Sequence, residues 1–220
     1  MIYDSSARAC NYGEEREAAC TLKGRCMQPQ TSPPPAVDPI PDPDTCHRLM
    51  TAMQMLPHIA EHSRQVCRVA VVLAEGLVKA GVSLDQRLIT AAALLHDITK
   101  TRSLDTGENH AATGSAFLAE RGFLRVSDIV RQHVTLDQYS PVRVPDEALV
   151  VNYADKRVLH DTITDLDTRM TYIRERYGTT DAHLKRIDTL WQATLELETH
   201  LFAHLPYGPE QLVAKITAHR

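Results

Sequence analysis

His62, the adjacent pair His96-Asp97 and Asp155 fall along a helical pattern, with His110 and His133 in the interval between the pair and the last aspartate. Imidazole and carboxylate are ligand types for divalent transition metals. Gathered from several helices around one or two ions, they would activate water, and water attack on a phosphate ester is the chemistry such a site suits best. Taken singly, each residue has a plainer reading. His62 lies on the border of an apolar helix face, where a satisfied core histidine is common. Asp155, within VVNYADKRV, could pair with an arginine or reach solvent. His96-Asp97 stands where a helix C-terminus favours histidine through its dipole, and His110 and His133 could be exposed helix-end residues. The joint pattern carries the inference. The dipeptide recurs at His160-Asp161, followed by the polar TITDLDT, and there it reads as accidental.

Adjacent helical residues point about a third of a turn apart. The pair can therefore serve one metal only at a helix end or bend. The run AALLHDITKT offers that place, because Ile98 and Thr99 are β-branched and the apolar stripe stops there.

The elements that must position these residues are helical. Asp44 can cap a helix through Met55. Pro57 suits a first helical residue, and the segment it opens runs to Gly81, with Ile59, Val66, Val69, Ala70, Leu73 and Leu77 near one face. Ser83 can cap LDQRLITAAALLHDITK, whose second half is apolar on most sides and so predicts a central, buried helix. Asn109 can cap a helix through Arg121, and residues 125–134 form a shorter one. Pro145 opens another through Val158, and two longer helices follow at 164–177 and 181–204. Pro209 opens a short last one. The best strand-like alternation is VRVP at 142–145. The predicted fold class is all-α, a helical bundle.

The chain has 220 residues, enough for one substantial core. Its formal net charge of −4 argues against a broad basic face for nucleic acid, though not against a small nucleotide. The N-terminus lacks a basic start followed by an apolar stretch, and no run is long and apolar enough to span a bilayer, so the expected location is cytoplasmic. Residues 28–43, QPQTSPPPAVDPIPDP, hold seven prolines and read as an extended linker. The domain reading is thus 1–43, a cysteine-containing segment plus linker, loosely ordered, and 44–220, the helical domain. Of five cysteines, Cys10, Cys20, Cys26 and Cys46 lie within the first 46 residues without a CxxC spacing, which favours free thiols over a metal cluster.

EHSRQVCRVA, ALLHDITK and YADK together resemble the HD-domain superfamily of metal-dependent phosphohydrolases, whose pattern is H…HD…D on a bundle of helices. Order, spacing and local context agree over roughly residues 45–180, and HDIT is close to the HDIG form of the motif. The resemblance implies that His62, His96, Asp97 and Asp155 hold a first metal. It also implies that His110 and His133 hold a second, with Asp97 bridging and a bridging hydroxide as nucleophile. The ligand set fits iron, manganese, zinc, cobalt or nickel without singling one out.

Lys100, three residues after Asp97, would reach a phosphate oxygen if the helix continued, and the HDxxK pattern of small HD hydrolases supports it. Lys156 and Arg157 follow the last ligand and could add positive field for substrate. No HHExxDGxGYP segment follows the core, so the resemblance does not extend to cyclic di-GMP phosphodiesterases of that kind. It is to the small stand-alone HD proteins, some of which cleave dinucleoside polyphosphates. The expected activity is metal-dependent hydrolysis of a nucleotide or other small phosphate ester, with Asp97 and Lys100 as the catalytic groups, no membrane partner, and homo-oligomers open. The competing reading is a non-catalytic sensor that binds a nucleotide or metal.

Overall fold

The computed structural model describes residues 38–219. The segment carrying Cys10, Cys20 and Cys26, and most of the proline-rich linker, lie outside the described residues.

Helix α1 (Pro43–Ala52) starts two residues earlier than the Asp44 expectation. Pro43 takes the first helical position, where its missing N–H costs nothing, and the Asp42 carboxylate accepts from the Thr45 N–H. Helix α2 (Pro57–Lys79) buries Val66, Val69, Ala70, Leu73 and Leu77, the face predicted from periodicity. Helix α3 (Gln86–Leu95) is capped by Asp85, whose carboxylate accepts from Arg87 and Leu88 N–H, so the cap lies two residues beyond Ser83. From Leu88 onward α3 is buried apart from Thr90, as its all-round apolar second half requires. It packs along α2 at the centre of the molecule. Each fully buried leucine or isoleucine here, such as Leu73, Ile89 or Leu95, stabilises the fold by roughly 1.5–3 kcal/mol.

After Leu95 the helix breaks. Residues 96–99 form a turn, and a short helix α4 (Lys100–Thr106) follows. Helix α5 (His110–Ala119) begins on the Asn109 cap. It pairs with α6 (Leu124–Gln132), and α6 in turn lies against α3. Helix α7 (Glu147–Lys156) crosses both α2 and α3 and is buried from Leu149 onward.

A two-residue hairpin follows, β1 (Val158–Leu159) antiparallel to β2 (Thr162–Ile163). The strand expected at 142–145 does not form: Val142 and Val144 are exposed at 91% and 67% in irregular backbone. His160, at the hairpin turn, takes a left-handed φ of 56°. Helices α8 (Leu166–Tyr177) and α9 (Asp181–Phe202) form an antiparallel pair against α7, and a 3-10 turn at Pro209–Gln211 leads into α10 (Leu212–Ala218). The fold is all-α apart from this hairpin. No described helix is long and apolar enough to cross a membrane.

Candidate metal centre

The break after Leu95 sets the geometry of the His96-Asp97 pair. His96 caps α3 and Asp97 lies in the turn, so the two side chains converge although a continuous helix would splay them. Around them α2 brings His62, α5 brings His110 in its first turn, the C-terminal end of α6 brings His133, and the last turn of α7 brings Asp155.

Asp97 stands between two groups. Its Oδ2 lies 3.6 Å from His96 Nε2, which is 3.8 Å from Asp155 Oδ1; that same oxygen is 3.0 Å from His62 Nε2. Its Oδ1 lies 3.2 Å from His110 Nε2 and 3.6 Å from His133 Nε2, and the two histidine nitrogens are 3.1 Å apart. The structure thus brings together all six side chains that the sequence singled out as ligand types.

The donor set fits a divalent cation. Metal–ligand bonds of about 2.1 Å at angles of about 90–110° place neighbouring ligand atoms roughly 3.0–3.4 Å apart, close to the 3.0–3.8 Å spacings here. Three histidines are also aimed from behind. His62 Nδ1 donates to the His160 carbonyl at 2.8 Å, His96 Nδ1 to Ala93 at 2.8 Å and His133 Nδ1 to Val130 at 2.6 Å. Each carbonyl can only accept, so the proton sits on Nδ1 and the Nε2 lone pair turns inward. His96 Nε2 is fully buried and has no hydrogen-bond partner. A buried orphan nitrogen between two carboxylates is costly unless a cation takes its lone pair.

Protonation follows from this placement. Burial holds His96 and His110 down to about 4, overcoming the pull of the Asp97 charge. Burial also opposes charge on His62, but the Asp155 hydrogen bond and the Asp155 and Asp97 carboxylates outweigh it and raise its pKa. Burial alone would raise Asp97 and Asp155, yet the groups around them hold both well below the usual carboxylate range. For Asp97 the neighbours are His96 and His133, and for Asp155 they are Lys156 and His62.

The cations following these ligands depart from expectation. Lys100 does not continue α3, because the helix has already broken; as the first residue of α4 it nevertheless places Nζ 3.5 Å from His110 Nδ1. Lys156 is only 3% exposed, with Nζ donating to Asp155 Oδ2 at 2.7 Å and to the His133 carbonyl at 3.0 Å. It braces two of the ligand-bearing segments from inside and does not present its charge to a bound substrate. Arg157 is 2% exposed and turns away from the centre. It donates to the Thr164 carbonyl at 2.7 Å, to Tyr153 Oη at 2.5 Å and to the Pro209 carbonyl at 3.2 Å, and it lies 3.4 Å from Glu198. The expectation that it binds substrate is corrected: one residue further along the helix end, it faces α9 and locks the hairpin and C-terminal turn.

Three contributors were not found from sequence. Asn152, one helical turn before Asp155, donates to the carbonyls of Gln132 and His133, both at 2.9 Å, and fixes the end of α6. Its i−3 spacing from Asp155 was the available signal. Thr99 is fully buried, and its hydroxyl donates to the His110 carbonyl at 2.9 Å, tying the His-Asp turn to α5. His160, read as accidental, contributes through its backbone carbonyl on His62, for which the sequence holds no signal beyond the turn itself.

The HD domain family model matches residues 59–159, the stretch that contains His62 through Asp155. That stretch, a little under half of the chain, carries an HD domain. HD domains bind divalent metals, and most of the superfamily are metal-dependent hydrolases. Among curated proteins, the chain is similar to a tRNA (cytidine(56)-2'-O)-methyltransferase of Picrophilus torridus, 32% identical over 146 residues, covering 60% of this chain and 40% of the methyltransferase. The chain thus spans well under half of that relative's length. No solved structure matches it.

Proposed function

We propose that the protein is a metal-dependent phosphohydrolase acting on a nucleotide or another small phosphate ester. The observation that carries this reading is the placement of the Asp97 carboxylate, with Oδ2 toward the His62–His96–Asp155 group and Oδ1 toward the His110–His133 group. In this reading His62, His96, Asp97 and Asp155 hold one ion, and Asp97, His110 and His133 hold another. Iron, manganese, zinc, cobalt and nickel all suit the donors. Bound there, such ions supply Lewis acidity toward water and phosphate oxygens.

The chain's own residues then have separable tasks. Carbonyls at His160, Ala93 and Val130 keep three imidazoles facing inward. Lys156 holds Asp155 Oδ2 and leaves Oδ1 toward the first group. Lys100, on the His110 side and partly exposed, binds a phosphate oxygen as a point charge. The relative's name carries an RNA substrate, so a phosphate at an RNA terminus belongs beside mononucleotides and dinucleotides in a substrate panel.

The test is hydrolysis of phosphomonoester and phosphodiester reporters with manganese or iron. Turnover that needs added metal and disappears in Asp97→Ala together with metal binding is the expected result. A metal-loaded protein silent on the whole panel would replace this reading with that of a sensor module.

A further inference from the structure

A cavity of about 920 Å³ lies between α8, α9 and the segment following α6. None of the six ligand-type residues lines it, but it adjoins them through the backbone. Its wall includes Val134 and Thr135, immediately after His133, and Asn152, whose amide holds the His133 carbonyl. The cavity is about the size of sites that enclose small ligands, roughly 300–1,000 Å³.

Its lining has two chemistries. The floor is apolar, with Ile173, Ile187, Leu190 and Leu197 beside the ring of Tyr139. Tyr139 Oη is buried and has no hydrogen-bond partner, an uncompensated polar atom that a ligand could satisfy. The rim is cationic, formed by Arg176, Lys185 and Arg186, all exposed, with the His183 ring beside them, and no aspartate or glutamate lines the cavity. Neighbouring Arg174 is paired with Asp188, whereas Arg176, Lys185 and Arg186 make no ion pair among the described residues. In a chain of net charge −4, a mouth whose charged groups are all positive, over an apolar, ring-lined floor, selects for one kind of ligand.

We propose that this cavity is a binding site, separate from the metal centre, for a phosphorylated aromatic compound of nucleotide size. The ring system is buried on the Ile173–Leu190–Tyr139 floor, and the phosphates are held by Arg176 and Arg186 at the rim. An apolar peptide would fill the floor and leave the rim unanswered, and a bare phosphate would leave the floor empty. Because no proposed metal ligand lines the cavity, the site does not depend on the hydrolase reading.

The test uses the full chain with EDTA present, so that occupancy of the metal centre plays no part. The probe is a methylanthraniloyl-labelled adenosine diphosphate followed by fluorescence, with competition by unlabelled ADP, adenosine and inorganic phosphate. Saturable binding is expected, with adenosine and phosphate each competing at least about tenfold more weakly than ADP. The surface double variant Arg176→Ala/Arg186→Ala, which leaves the core untouched, should weaken binding by about tenfold or more. Leu190→Trp, which fills the floor, should abolish it, and Asp97→Ala should leave it unchanged. Absence of saturable binding overturns the proposal. So does binding that survives the rim substitutions, or that Asp97→Ala removes, since the nucleotide would then sit elsewhere or at the metal centre.

Discussion

His96 and His110 stay neutral down to a pH of about 4, while His62 beside them gains proton affinity. The unfolded chain protonates histidine near 6.5. Between 6.5 and 4 the unfolded state therefore binds more protons at His96 and His110, and folding stability falls as pH falls. His62 works in the other direction: its contribution is present below its unfolded pKa and is lost as pH rises through its raised folded value. With two depressed groups against one raised, urea unfolding of the metal-free protein should show a net loss of stability from pH 6.5 to 4, shallower in His110→Gln. A stability that is flat or rises toward pH 4 would contradict these placements. The turn residue His160 gives a second prediction. Its φ of 56° aims the carbonyl at His62 Nδ1, a conformation that glycine adopts freely and a β-branched residue does not. His160→Gly should retain metal affinity. His160→Val should lower it by about 10–100-fold, as loss of an orienting partner does. Equal affinities by calorimetry would show that the carbonyl is not orienting the ring.

Among the elements, α5 sits close against the His-Asp turn and α6. Gly114 faces the His-Asp turn, and a Cβ there would meet Ile98 at 3.2 Å, Val130 at 3.3 Å and Thr99 at 3.4 Å. Gly114→Leu should force α5 outward, costing about 1–3 kcal/mol. It should separate His110 from Asp97 while leaving His62, His96 and Asp155 in place. Metal titration should then show the loss of one class of site and the retention of the other; loss of both, or of neither, would contradict that division. Much at this scale was legible in the sequence. The Asn109 cap, the buried second half of α3 and the apolar face of α2 each follow from local residue types that agree with their tertiary setting. The boundary shifts at Asp42 and Asp85 come from competition among nearby capping residues, which local sequence ranks poorly. The hairpin at 158–163 was hidden because two-residue strands carry no periodicity, and Arg157 was misplaced because its partners on α9 and at Pro209 are distant along the chain.

Across the whole molecule the centre depends on contacts distant in sequence. His62 and Asp155 meet across 93 residues. The residue types and order were visible in the chain, and the HD-domain resemblance was legible from them. The bracing by Lys156, Asn152 and Thr99 was not, because it exists only once α3, α5, α6 and α7 are packed together. If this packing divides the Asp97 carboxylate between two cation sites, the chain holds two ions. Elemental analysis of the purified chain, with metal-to-protein stoichiometry, tests it most directly. The native chain should carry about two equivalents of divalent transition metal and Asp97→Ala near none, since one carboxylate serves both sites. A native chain holding no metal, or an Asp97→Ala chain that keeps its full complement, would contradict it.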